Sequence, residues 1–248
     1  MKKTAPFLIF LIFSLPIAVH AQMFSVDDDE SIISDPFAPY LRAGIKMVDF
    51  TYTGNPDSPR AGNLNMSGIA AHLSFETGGF TLGASVANKL TGEKEQNYFD
   101  LELKFANPFL LIKSPNFIAG IPLQLSSKTM SVKSDNSSNE FTQTSLSAGL
   151  GVIAQAHFPQ KLGAIVQFIP NYGFSSIPGG FMGGSVFTLN GKARLNFYNL
   201  IFNKNLSLGY NYTFNSFNYN YNLENSDIVD GQYDYDFTGH SLTIGISF

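Results

Sequence analysis

Tyr235–Phe248, YDFTGHSLTIGISF, closes the chain on a strict alternation. Leu242, Ile244, Ile246 and Phe248 share one parity, and Ser241, Thr243, Gly245 and Ser247 share the other. A β-strand sends successive side chains to opposite faces, so this stretch has one apolar face and one small, polar face. The apolar face carries an aromatic at the last residue. The same period of two recurs upstream. Phe99, Leu101, Leu103 and Phe105 oppose Tyr98, Asp100, Glu102 and Lys104. Ile69, Ala71, Leu73 and Phe75 oppose His72, Ser74 and Glu76, and Leu82, Ala84 and Val86 oppose Gly83, Ser85 and Lys89. Phe187, Leu189, Ala193 and Leu195 oppose Lys192 and Arg194, and Leu206 to Phe214 alternates in the same way.

Residues 1–21 read as a cleaved signal peptide. Lys2 and Lys3 precede an apolar run from Phe7 to Val19, and Val19-His20-Ala21 has the small-residue pattern of a cleavage site. The run is short for a membrane-spanning helix of about 20 residues. Loss of Lys2 and Lys3 leaves 13 Lys+Arg against 19 Asp+Glu, a net of −6, which argues against nucleic acid as a partner. The sequence has no Cys, so neither a lipid-modified Cys nor a disulfide can form. Residues 22–39 form an acidic segment around Asp27-Asp28-Asp29-Glu30, read as a solvated periplasmic tail.

No apolar stretch beyond the signal reaches helical spanning length. Integration into a membrane therefore requires strands, and only a closed barrel pairs every strand backbone group in lipid. Residues 40–248 are expected to form an all-β, closed, antiparallel up-and-down transmembrane barrel of about ten strands, with eight or twelve as the alternatives. Connections at 54–63, 133–140, 175–184 and 218–233 are mostly long and polar, whereas 77–79, 158–162 and 199–205 are short. That is the outer-long, periplasm-short asymmetry of such barrels. Two connections break the pattern: 91–95 is short for an outer loop, and 107–116 is long for a periplasmic one. Pro122 removes a ladder donor, so a bulge is expected there. Phe 24 and Tyr 11 supply aromatics for two interfacial girdles, Tyr210 and Tyr212 among them. The Asn/Tyr segment at 215–222 reads as part of a polar outer loop, with sugar or partner binding as the sharper alternative.

The signal, the apolar-out strands and the terminal Phe248 together resemble bacterial outer-membrane β-barrel proteins. In general plan the chain is similar to OmpA-type and small porin-like barrels, with no motif tying it to one family. The resemblance implies residence in the outer membrane of a Gram-negative bacterium, among its lipids and lipopolysaccharide. It also implies delivery by periplasmic chaperones to the barrel assembly machinery, with Leu242, Ile244, Ile246 and Phe248 as the recognised C-terminal signature. No oligomeric state follows.

The inward parity collects Arg42, Lys46, His72, Glu76, Lys89, Asp100, Glu102, Lys104, Lys192 and Arg194. Charges are costly in lipid and tolerated in a wet or paired lumen. Two readings stand: a salt-bridged filling that closes a narrow barrel, or a solute-selecting pore with a weak anion preference. Catalytic sets are weak. His240 and Ser241 are adjacent and so point to opposite faces, and no Ser/His spacing matches the barrel deacylases or phospholipases. A long-range pairing of His72 with Asp100 or Glu102 is the remaining option. No Cys, no His pair and no calcium-loop spacing point to a metal, and Gly179-Gly180 with Gly183-Gly184 lacks the Lys and helix of a phosphate cradle. No cofactor is expected. The favoured function is a narrow channel or a passage for small solutes or apolar ligands. The alternative is a structural or partner-binding surface barrel with a filled lumen. A lipid-modifying enzyme ranks last, and the chain is expected not to be an enzyme.

Overall fold

Alternating, β-branched and aromatic segments separated by Gly, Pro and Asn become strands throughout. The computed structural model describes residues 39–53, 65–88, 96–134, 140–159, 161–176, 184–221 and 231–247. The signal peptide, the acidic segment up to residue 38, Lys89 and Phe248 lie outside the described residues, as do most of the long connections. The strands are β1 (Tyr40–Tyr52), β2 (Met66–Glu76), β3 (Phe80–Ala87), β4 (Gln96–Ser114), β5 (Phe117–Ser134), β6 (Glu140–Leu150), β7 (Val152–Phe158), β8 (Leu162–Ser176), β9 (Gly184–Ile201), β10 (Lys204–Tyr221) and β11 (Gly231–Ser247). Each pairs antiparallel with its neighbours. β1 joins the C-terminal β11 from Tyr40↔Ser247 to Tyr52↔Tyr235, and β4 joins β5, so the sheet closes. β6 and β7 both lie between β5 and β8 and form one stave, so the barrel has ten.

The break between β6 and β7 is where the expected bulge at Pro122 is corrected. Register is the same on both sides: Leu123↔Leu150 before the break and Gly120↔Ile153 after it, three residues further along each strand. No residue is inserted. Gly151 N–H donates to Pro122 O (3.2 Å), and the reciprocal bond cannot form because proline has no N–H. A Cβ at Gly151 would lie 2.0 Å from Phe168 O on β8, so only glycine lets the stave pass this point.

The long periplasmic connection at 107–116 is also corrected. Here β4 and β5 stay paired down to Ser114↔Phe117, with one irregularity between Leu110 and Ile112. The Phe109–Ile112 run is strand, and the connection is the Pro115-Asn116 turn. Two further ends at this side are equally tight: 77–79 and the Phe202-Asn203 turn, both of whose residues have positive φ (47° and 60°). The Asn/Tyr segment is a third correction. Its residues 215–221 are not loop but the upper part of β10, paired to β11 as far as Tyr221↔Gly231.

Outside the turn half, the wall is apolar. Leu41, Ala43, Ile45 and Met47 on β1, Ile121, Leu123 and Leu125 on β5, and Leu242, Ile244 and Ile246 on β11 all point outward. On β8 the outward row runs from Ala164 through Val166, Phe168 and Tyr172 to Phe174. Ten residue steps of about 3.3 Å, tilted by about 40°, span about 25 Å along the barrel axis, the height of an outer-membrane apolar band. Aromatic rings mark its ends. Phe75, Phe80 and Phe105 lie together at the turn end (centroids 6.2 and 5.3 Å apart). Tyr210 and Tyr212 lie outward towards the loop end, with Tyr210 Oη hydrogen-bonded to His240 Nδ1 at 2.7 Å.

Beyond that level the polarity reverses without any change of parity. Outward positions become Asp49 and Thr51 on β1, Ser127, Thr129 and Ser131 on β5, and Asp236 and Thr238 on β11. Inward positions on the same strands become Val48 and Phe50, Met130 and Val132, and Tyr235 and Phe237. The loop half therefore combines a polar outer face with a hydrophobic core, and the turn half combines an apolar outer face with a polar core.

Candidate functional site

The inner wall of the turn half is built by the inward parity of β1, β2, β4, β5 and β9. Arg42, Lys46, Glu76, Asp100 and Arg194 are buried there, and His72, Glu102, Lys104 and Lys192 are partly buried on the same face. Lys128 on β5 joins them. It was not singled out in the sequence, although it shares the inward parity of Gln124 and Ser126; the flanking Ser127, Thr129 and Ser131 hide the apolar row that would have marked the face.

These charges are organised around two carboxylates. Glu76 Oε2 accepts from Arg42 Nε at 2.6 Å, and Glu76 Oε1 accepts from Arg194 Nη2 at 2.8 Å with Lys192 Nζ 3.7 Å away. Three strands, β1, β10 and β11, lie between β2 and β9, so this contact bridges the lumen. Arg42 also donates to Ser207 Oγ (3.0 Å), and Arg194 donates to Asn211 Oδ1 (2.8 Å) and Tyr210 O (3.1 Å). The second centre is Asp100, which accepts from Lys46 Nζ and, at 2.5 Å, from Tyr98 Oη, with Lys128 Nζ 3.9 Å away. Lys104 pairs with Glu102 (2.9 Å) and donates across the barrel to Asn190 Oδ1 (3.1 Å). Fixed ion pairs with further hydrogen bonds are the form in which charge is tolerated away from water.

The upper ionic centre abuts the apolar layer of the loop half. Lys128 Nζ lies 4.1 Å and Lys46 Nζ 5.2 Å from the centroid of Phe237, whose ring stacks on Tyr98 at 5.9 Å. Above it, Phe141 touches Phe50 (4.8 Å), Tyr235 (4.7 Å) and Phe217 (6.0 Å), and Phe50 stacks on Tyr235 (5.1 Å). β1 and β6 stand opposite each other, five staves apart in either direction, so the Phe50–Phe141 contact spans the whole lumen. Among the ionic side chains a cavity of about 140 Å³ reaches down to the Thr77–Gly79 turn, and its lining includes Arg42, Glu76, Glu102, Lys104, Lys192 and Arg194.

His72 pairs with neither Asp100 nor Glu102. Its Nδ1 is hydrogen-bonded to Ser85 Oγ (3.0 Å), directly opposite on β3. Ser85 is buried and does not line the cavity, whereas His72 does. His157 meets Gln155 Nε2 at 2.8 Å through Nε2, and His240 faces outward, away from Ser241. Alternation alone does not tell which residue lies across the ladder, so the His72–Ser85 partnership becomes visible only with the register.

No protein-family model matches the chain, and no curated protein matches it. Solved structures do. The chain is similar to the outer-membrane protease OmpT from Escherichia coli, at 11% identity and a TM-score of 0.38, over 88% of this chain and 99% of that one. It is similar to the translocator domain of the autotransporter NalP from Neisseria meningitidis, at 11% identity and a TM-score of 0.32, over 87% and 90%. It is also similar to the CymD monoaromatic hydrocarbon channel, at 11% identity and a TM-score of 0.25, over 84% and 88%. A protease among these structures corrects the expectation that the chain is not an enzyme, and at this identity the likeness carries no catalytic residue with it. The chain is an outer-membrane-type β-barrel: ten antiparallel staves, closed, with an apolar outer band and a charged interior.

Proposed function

We propose that the protein is a bacterial outer-membrane barrel with a sealed lumen that acts through what it presents at the cell surface, as a structural or partner-binding protein. The Phe50–Phe141 contact across the full width of the lumen supports this reading, since apolar rings meeting across a lumen obstruct hydrated solutes. In this reading the loop half stands clear of the bilayer on the outer side, and the tight turns face the periplasm. Lipopolysaccharide and outer-membrane lipids surround the apolar band, and chaperones and the assembly machinery deliver the chain.

Planar-bilayer recording tests the proposal. The wild-type protein is expected to give no channel events across a range of salt concentrations, and Phe50→Ala/Phe141→Ala is expected to give them. Steady conductance from the wild type would overturn it. A second reading, a narrow passage for small solutes or apolar ligands, is favoured by the cavity among the ionic side chains. It requires the aromatic layer to part, and ligand-dependent conductance of the wild type would select it.

A further inference from the structure

We propose that the turn-half cavity is a binding site for one small, multiply charged oxyanion of the inorganic phosphate class. The inward faces of the described strands carry six cations, Arg42, Lys46, Lys104, Lys128, Lys192 and Arg194, and three carboxylates, Glu76, Asp100 and Glu102. The imbalance lies at a level where the outer wall is apolar, so neither lipid nor bulk water outside compensates it. It is greatest at Glu76, where one carboxylate faces Arg42, Arg194 and Lys192.

Lys192 is the most open of the three. Its side chain is 30% exposed, it lines the cavity, and at 3.7 Å from Glu76 its ammonium makes an ion pair without a hydrogen bond. Two further donors on the same strand lack partners. Asn190 and Arg194 line the cavity, and each carries one nitrogen, Asn190 Nδ2 and Arg194 Nε, that is buried without a hydrogen bond. Unpaired buried donors of this kind are uncommon and costly. Asn190 is held in place by Lys104, whose Nζ donates to Asn190 Oδ1. The cavity is thus lined by the ammonium and guanidinium groups of Arg42, Lys46, Lys104, Lys192 and Arg194 against two carboxylates, Glu76 and Glu102, and a net positive lining of this kind is the chemistry that recognises an oxyanion. At about 140 Å³ the cavity has room for one compact anion. At its lower end the cavity reaches the Thr77–Gly79 turn.

The site stands on the charge layer and not on the sealed-lumen reading, so conductance and anion binding can fail independently. The test is equilibrium dialysis of the refolded full-length barrel, in phosphate-free detergent, against radiolabelled inorganic phosphate at constant ionic strength in chloride. One saturable phosphate per barrel is expected. Lys192→Met should weaken binding about tenfold, as loss of a charge-assisted hydrogen bond does. Lys113→Met, on β4 away from the cavity wall, should bind as the wild type does. Absence of saturable binding by the wild type overturns the proposal, which leaves it exposed even where Lys192→Met fails to fold. Equal binding by a folded Lys192→Met overturns the site. Displacement of the label by short-chain phosphatidic acid at equal concentration would identify a lipid headgroup and overturn the free-anion assignment.

Discussion

β5 passes through both halves of the barrel and reads oppositely in each. In the turn half, Leu123 points out and Gln124 points in; in the loop half, Thr129 points out and Met130 points in. The pleat is unbroken between them, so the two solvents, not the backbone, decide which parity is apolar. Lipid outside selects Leu123 and permits a polar interior whose groups pair with one another. Water outside selects Thr129 and leaves Met130, Val132 and the aromatic rings to form an ordinary hydrophobic core. The two interiors should therefore fail in different ways, and each half offers a substitution that breaks the contrast.

The largest effect is expected at Glu76. Glu76→Leu leaves Arg42, Arg194 and Lys192 inside the transmembrane half with no carboxylate among them. Breaking one side of a buried ion-pair cluster costs about 3–5 kcal/mol. Urea-dependent folding into lipid vesicles measures it. A loss below about 1 kcal/mol would mean that the turn-half interior is as wet as bulk water, and the contrast between the two cores would disappear.

Phe141→Ala probes the other interior. Phe141 is buried and touches Phe50, Phe217 and Tyr235. Truncation removes the ring and leaves a cavity, at a cost of about 3 kcal/mol. In the same folding experiment the loss should be insensitive to salt, whereas that of Glu76→Leu should change with it. Salt dependence at Phe141 would place the aromatic layer within the ionic network instead of above it.

Much of this division was written in the sequence and only part of it was legible there. Where lipid-facing and lumen-facing residues contrast cleanly, as at Leu242 to Ser247 or Phe99 to Lys104, a period of two fixes both strand and face. The expectation of a closed barrel of about ten strands rests on such stretches and holds. Legibility ends where the outer face turns polar. Val48, Phe50 and Tyr52 are apolar on the parity that carries Arg42 and Lys46, and this phase shift within β1 leaves the segment without a single apolar parity. The same shift at Asn215 to Tyr221 made strand look like loop. At 107–116, Pro108 and Pro115 suggested a connection, yet Pro108 lies beyond the end of the β3 ladder at Phe80↔Phe105, where its missing donor disturbs no pairing on that side. Partners across the lumen, such as Glu76 with Arg194 or Phe50 with Phe141, depend on closure and register and have no local signature.

A matched pair on the outer face of β5 sharpens the boundary. Leu123→Arg puts a charge into the apolar band and is expected to cost about 2 kcal/mol, depending on depth. Thr129→Arg, six residues further along the same face, is expected to fall within about 0.5 kcal/mol, as surface substitutions do. Similar costs at both positions would extend the lipid over the loop half.

The smallest effect is the most discriminating because its sign matters more than its size. Thr129 and Thr144 face each other on β5 and β6, their hydroxyls 3.1 Å apart on the exposed outer face of the loop half. Thr144→Val keeps the β-branched shape and removes one hydroxyl. In water the cross-strand hydrogen bond is lost and nothing apolar is gained, so a destabilisation of about 0.2–0.5 kcal/mol is expected. In lipid the same change would remove a polar group from hydrocarbon and would stabilise the barrel. A stabilised Thr144→Val variant in the vesicle assay would therefore move the membrane boundary above β6 Thr144. It would make the polar outer rows of the loop half a lipid-facing surface, against the reading in which that half stands clear of the bilayer.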